Sequence, residues 1–406
     1  MLVVGDLRRH GPVAQSPCPS PPPVVNDRIE QSKHLHARAR AMIQSYESGR
    51  LMPERFESLA ADLVRFQAAS VPGYARLCAL HGVDPRALRD PAVAPAVPTE
   101  AFKLSRVFAF DEHEAAAVFR TSGTTTGARG AHALRDLGTY NAAALAFGRS
   151  MLAFGLPRAV PVLVVGPSAS DAPDSSLSHM CTLFVRAFGD AAADEDVYFV
   201  RAGAAAGRDG SGRSAPALDL EALRARASAI RGGDPVIVLA TSLALLRLVE
   251  TARGARLPLP RGSRVMQTGG FKGRAREVIA AELRRSVAQL FSIDERAVVG
   301  EYGMTEISSQ FWETTVADER AKPRVYVEPP WARVVPVHPE TLAPVESGEV
   351  GIARIEDLAN VDSAWAVLTQ DRVRRVSRGF ELLGRTEGAP PRGCSIGLDD
   401  MLRGDS

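Results

Sequence analysis

The stretch "RTSGTTTGARG", Arg120 to Gly130, crowds hydroxyls and glycines into one short segment that carries an arginine. Glycine permits the positive φ and close backbone approach that let successive N–H groups converge on an anion. The hydroxyls of Thr121, Ser122, Thr124 and Thr125 add donors, Gly123 and Gly127 give the loop its freedom, and Arg129 adds a fixed positive charge. A polyphosphate meets those demands. The loop is not a Walker loop, because the Gly-Lys-Ser/Thr ending is missing. Lysine is scarce throughout: only Lys33, Lys103, Lys272 and Lys322 occur.

A chain of 406 residues, 45% hydrophobic and 24% charged, can build one large α/β unit with appendages. A net charge of +2 with both signs interspersed leaves no basic stripe for nucleic acid, and no apolar run approaches membrane-spanning length. Cys18, Cys78, Cys181 and Cys394 form no CxxC pair, which points to free thiols in a reducing cytoplasm rather than to zinc or disulfides. Residues 1–27, with "QSPCPSPPP", read as a disordered Pro-rich leader. Two helices follow between Asp27 and Ala69, and Pro53 can open the second.

The loop follows the strand-like "AAAVFR", and Asp136 can cap the next helix. Strands are expected at "VPVLVVG", "DVYFV", "DPVIVLAT" and "SRVMQTGG", alternating with helices such as the one ending at Phe291. That alternation predicts a mainly parallel sheet covered by helices, and short β runs beyond Glu313 predict a β-rich subdomain. The expected boundaries are 28–375 for the large domain, with the phosphate loop at 121–130, and 376–406 for a short C-terminal segment.

"TSGTTTGARG" resembles the phosphate loop of adenylate-forming enzymes, TSGTTG-x-P-K, with Thr126 at a glycine position and Ala128-Arg129 in place of Pro-Lys. "EYGMTE", Glu301 to Glu306, resembles the second signature, Y-G-x-T-E. "LTQDRVRR" and "LLGRTEG" resemble the third signature and the hinge. The resemblance implies the adenylate-forming α/β fold, ATP bound with Mg²⁺, Tyr302 and Gly303 against adenine, Thr305 at the phosphates, Glu306 on the metal and Asp371 on the ribose, with Arg385 at the hinge. The residue types suit these roles: an aromatic can stack a base, and a carboxylate suits a hard cation or two hydroxyl donors.

"VPTEAFK", "DSSLSHM", "GGFKG" and "RGCS", with a truncated C-terminal segment, are similar to the acyl-protein synthetases of bacterial luminescence operons. That resemblance implies capture of the activated acyl group as a thioester on Cys394. Ten residues of tail from Gly384 can reach roughly 35 Å. Lys272, beside Gly269 and Gly270, is the favoured ammonium, Lys103 reads as a surface charge, and His179 and His132 are candidates to reach the carboxylate or phosphate. The expected activity is ATP-dependent activation of a carboxylic acid, expected to be a fatty acid, with an acyl-accepting or acyl-reducing partner protein and with neither nucleic acid nor membrane as partner. The rivals are a ligase that acylates coenzyme A, a carrier or an amine, and a non-catalytic nucleotide-binding protein.

Overall fold

The computed structural model describes residues 25–121, 129–189, 195–201, 217–230, 233–269, 277–385 and 401. The chain opens with helices α1 (Val25–Glu47), α2 (Phe56–Ser70) and α3 (Pro72–Leu80), then a connector carrying β1 (Val97–Pro98) and the one-turn helix α4 (Ala101–Leu104). A hairpin follows, β2 (Ala117–Arg120) and β3 (Ala131–Leu134), leading to α5 (Leu137–Met151), β4 (Val162–Val165) and α6 (Ser176–Phe188). A small hairpin, β5 (Val200–Arg201) with β6 (Ala217–Leu218), precedes α7 (Leu220–Ile230), β7 (Ile237–Thr241), α8 (Ser242–Ala252), β8 (Arg264–Thr268), α9 (Glu277–Phe291) and β9 (Val298–Tyr302). The last strands are β10 (Phe311–Glu313), β11 (Val325–Val327), β12 (Ala332–Val337), β13 (Val350–Asp357), β14 (Ala366–Val376) and β15 (Gly379–Arg385).

One mixed sheet organises the molecule in the order β12-β13-β14-β15-β11-β10-β9-β8-β7-β4, with β1 parallel to β14. Strands β4, β7, β8 and β9 are mutually parallel, and the later strands pair antiparallel. The β runs beyond Glu313 therefore extend the same sheet. The parallel strands are apolar at consecutive positions because both faces are covered. Val162, Val164, Ile237 and Leu239 pack in the core shared with α1, α2, α5 and α6, whereas Leu163, Val165, Val238 and Val265 pack with α7, α8 and α9. The expected strand "DVYFV" is not a full member of the sheet. Its start is a 3-10 turn, Glu195–Val197, its end belongs to the small hairpin, and it touches β4 through one bridge, Val164 to Tyr198.

Asp136 caps α5 as expected, its carboxylate accepting from Gly138 N at 2.7 Å, whereas α2 begins three residues after Pro53, at Phe56. No helix among the described residues is long and apolar enough to cross a membrane.

Strand β9, which ends at the second signature, is held from below by a buried ion pair. Arg284 of α9 reaches both carboxylate oxygens of Glu313 on β10, at 2.8 and 2.7 Å, and Glu313 also accepts from Gly300 N at 2.9 Å. A side chain at residue 300 would meet the Glu313 carboxyl carbon at 2.7 Å, so glycine is what lets the carboxylate approach. Glu313 is fully buried. Arg284→Met is expected to leave it uncompensated and to lower unfolding free energy by about 3–5 kcal/mol, measured with denaturant. The double variant Arg284→Met/Glu313→Leu is expected to recover most of that loss.

Candidate active site

The strands that flank the glycine- and threonine-rich segment, β2 and β3, pair antiparallel, with Phe119 opposite His132 and Arg120 opposite Ala131. Its foot is closed by Thr121 N donating to Gly130 O and by Gly130 N donating to Thr121 Oγ1, both at 2.9 Å. Arg129 Nε donates to Thr121 O at 2.7 Å, Nη2 to Arg120 O at 3.1 Å, and Nη1 pairs with Asp174. Its guanidinium thus clamps the foot of the loop, where the sequence alone reads it as a phosphate contact. Ser122, Gly123, Thr124, Thr125 and Gly127 lie outside the described residues, as do Gly270, Lys272 and Cys394.

The second and third signatures meet through one carboxylate. Tyr302, at the end of β9, is buried among Phe311, Phe380 and Tyr326, and its Oη donates to Asp371 Oδ2 at 2.8 Å. Asp371 sits opposite Arg385 in the β14–β15 ladder, and its Oδ1 accepts from Arg385 Nε at 3.1 Å. Burial, together with the neighbouring Asp371 carboxylate, raises the Tyr302 phenol well above its usual range, so the tyrosine remains a neutral donor. Three residues expected at the nucleotide are therefore coupled directly. Gly303 follows Tyr302 where a side chain would come within 2.5 Å of Glu301 Oε1.

The backbone beyond Gly303 is pinned from several elements. The carbonyl of Thr305 accepts from His132 Nδ1 at 2.6 Å, and the carbonyl of Glu306 accepts from Asn360 Nδ2 at 2.9 Å. Asp357 Oδ2 accepts from Ser308 N and Ser309 N at 2.9 and 2.8 Å. The backbone that carries Glu306 is thus held, and burial raises the pKa of its carboxyl to about 7, opposed by a hydrogen bond from its own backbone and by Arg385 and Lys103, with Glu100 pushing up. Among the described residues its carboxylate makes no ion pair within 4 Å and no group of three or more His, Cys, Asp or Glu side chains is arranged for a metal. A buried, cation-seeking carboxylate fits a Mg²⁺ whose other ligands are phosphate oxygens and water, the usual way this ion is held beside a nucleotide.

His132 was legible as a residue near the loop, but not as the tie between the two signatures. A carbonyl only accepts, so Nδ1 carries the proton and Nε2 is a bare acceptor, buried and without a partner among the described residues. Burial lowers the imidazole pKa to about 4, against the opposing effect of the Thr305 hydrogen bond. His179, on α6, hydrogen-bonds to Asn141 Oδ1 at 2.8 Å and packs on Phe119 and Tyr140, which places it behind the hairpin. Gly269, after β8, has φ +72°, and its carbonyl accepts from Ser242 Oγ at 2.6 Å.

Two features had no local signature. Glu301 is a buried carboxyl beside Thr268 Oγ1, and burial raises its pKa to about 7. An apolar cleft of about 440 Å³ opens at the C-terminal ends of β4 and β7 between α6 and α8, lined by Val165, Leu177, Cys181, Leu239 and Ala244, with exposed Arg247 also lining it. Burial pushes the Cys181 thiol up to about 12 and the Cys78 thiol up to about 11, so neither supplies a thiolate near neutrality.

Among solved structures, 2-hydroxyisobutyryl-CoA ligase in the postadenylation state with 2-HIB-AMP matches with a TM-score of 0.58 and 14% identity, over 82% of this chain and 68% of that one. An open conformation of that ligase with 2-HIB-AMP and CoA gives 0.56 and 15%, over 81% and 74%. ATP-bound MatB from Rhodopseudomonas palustris gives 0.47 and 17%, over 69% of this chain and 50% of that one, so the chain spans about half the length of MatB. The fold is that of the adenylate-forming enzymes. The family model "Acyl-protein synthetase, LuxE" matches residues 29–403, and the chain belongs to that family. A search of curated protein sequences finds no match.

The depressed pKa of His132 has a measurable consequence. Between pH 6.5 and about 4 the unfolded chain takes up a proton that the folded chain refuses, so stability is lost as pH falls through that window and levels off below it. The loss is expected to approach about 3 kcal/mol in urea unfolding, and His132→Asn is expected to flatten this part of the profile. An unchanged profile in the variant would show that His132 does not titrate this way.

Proposed function

We propose that this protein activates a carboxylic acid with ATP, forming an acyl-adenylate and pyrophosphate, and then passes the acyl group to a thiol, its own Cys394. The observation that carries this reading is that His132 ties the hairpin flanking the loop to the backbone just before Glu306, while Tyr302 of the same segment is joined to Asp371 and Arg385. Family membership supports it. The hydroxyls and glycines of the loop suit the anionic tail of the nucleotide by residue type, and Asp371 would offer a carboxylate to ribose hydroxyls. Glu306 would hold Mg²⁺, which neutralises charge as pyrophosphate leaves. The chain's own contribution is to fix the backbone that carries Glu306, through Asn360 and His132, before substrate arrives.

A fatty acid is the preferred substrate class, because the described cleft at the strand ends is lined chiefly by aliphatic side chains. The acyl acceptor is assigned to Cys394 on the family resemblance, and the buried, protonated state of Cys78 and Cys181 supports a thiol from elsewhere in the chain. A cytoplasmic setting and an acyl-accepting or acyl-reducing partner protein complete the reading.

Intact-protein mass spectrometry after incubation with ATP, Mg²⁺ and straight-chain fatty acids tests it. One acyl mass increment, mapped to Cys394 and absent from Cys394→Ala, is the expected result. That variant should still release pyrophosphate, whereas Glu306→Gln should slow release by about 10²-fold through loss of charge compensation in the transition state. Labelling that persists in Cys394→Ala would remove that residue from the mechanism. Pyrophosphate release at the wild-type rate in Glu306→Gln would remove the metal assignment.

A further inference from the structure

Lys103 is one of four lysines in the chain. Lys33 pairs with Glu30 at 2.7 Å on α1, Lys322 lies exposed ahead of β11, and Lys272, the ammonium favoured from sequence, lies outside the described residues. Lys103 sits instead where three parts of the site converge. Helix α4 is a single turn, anchored by the buried Ala101 and Phe102, and the Phe102 ring meets His132 edge-on at 6.0 Å. The stem of Lys103 passes the foot of the phosphate loop, since a side-chain carbon at Gly130 would lie 3.4 Å from Lys103 Cγ.

The other side of α4 is fixed to the strand that carries Asp371. Strand β1 pairs with β14 at Val97–Val367 and Pro98–Leu368, Thr99 N donates to Leu368 O at 3.1 Å, and Gln370 Nε2 donates to Glu100. That register sets α4 beside residues 368–370, next to Asp371 in sequence. The third neighbour is the turn before Glu306, because the His132 ring that Phe102 packs against holds the carbonyl of Thr305.

The other charged groups around this point are committed. Arg129 is held by Asp174 and two carbonyls, Arg385 by Asp371, and Glu100 accepts from Thr99 and Gln370. Lys103 is exposed and, among the described residues, its ammonium makes no hydrogen bond or ion pair within the protein. A point charge on a flexible stem can follow an anion in a way the clamped guanidinium of Arg129 cannot.

We propose that Lys103 is a catalytic residue that holds the substrate carboxylate and the α-phosphate together during acid activation. The inference rests on the acid-activating function proposed above. In that step a carboxylate oxygen forms a bond to the α-phosphorus while the bond from that phosphorus to the bridging oxygen breaks, and the electron pair leaves with pyrophosphate. No proton is transferred, so Lys103 stays an ammonium and acts through charge alone. It serves where two anions must approach, the point at which fixed positive charge lowers a barrier most effectively.

Pyrophosphate–ATP exchange in the full chain tests the role, using the straight-chain fatty acid that best supports exchange by the unaltered protein. Lys103→Met is expected to lower exchange turnover by about 10²- to 10³-fold with KM for ATP changed only a few-fold. Lys103→Arg is expected to restore a large part of the rate, because charge rather than shape carries the effect. Lys33→Met should match the unaltered protein. Thermal unfolding should be alike in all three variants, since Lys103 is exposed and Lys33 is distant from the site. An unaltered protein that exchanges while Lys103→Met exchanges equally well would overturn the assignment and leave the acid-activating function standing. An unaltered protein that exchanges with no acid of the series would overturn both.

Discussion

The hydrogen bond from His132 Nδ1 to the carbonyl of Thr305 joins segments 173 residues apart. One end belongs to the hairpin that presents the glycine- and threonine-rich loop, and the other to the turn that presents Glu306. The two must keep a fixed spacing if a phosphate chain and its cation are to lie between them. A neutral imidazole suits the task, because its protonated form would bury an N–H that has no acceptor among the described residues. Asn360 and Asp357 hold the far side of the same turn, and Asp357 does so from full burial with four donors on its two oxygens. The site is therefore organised by backbone pinning.

That pinning permits an otherwise unfavourable placement. A carboxyl with its pKa raised to about 7 by burial prefers to be protonated or to gain a cation, and Glu306 has no protein cation within ion-pair distance among the described residues. Asp371 solves the same problem differently, with Tyr302 on one oxygen and Arg385 on the other. The first leaves a carboxylate without a protein cation among the described residues, whereas the second holds one between a phenol and a guanidinium. Tyr302, four residues before Glu306, ties β9 directly to Asp371 on β14, although three strands separate the two in the sheet order.

Much of the architecture was legible because local physics sets it. Unbroken apolar runs mark β4 and β7 as strands covered on both faces, Asp136 marks the start of α5, and the glycine-rich segment marks a loop. Chemistry that depends on pairing across the chain was not legible. The sequence displays the charge of Arg129 but not Asp174, which is brought to it from 45 residues away. Lys103 reads as an ordinary surface lysine until the β1–β14 register carries α4 to the site. The "DVYFV" run has a strand's composition, yet it ends in a separate two-strand hairpin, because side-chain type does not determine which edge a strand will find.

Oxygen tracing is the most direct test of the proposed activity, because it follows the bond that acid activation would make. The protein would be given ATP, Mg²⁺ and a fatty acid whose carboxylate carries heavy oxygen, with hydroxylamine added to release bound acyl groups and sustain turnover. The account predicts AMP bearing one heavy oxygen at its phosphate, left there when the acyl–phosphate bond is cleaved. Turnover that yields unlabelled AMP, or ADP in its place, would contradict attack of the carboxylate on the α-phosphate.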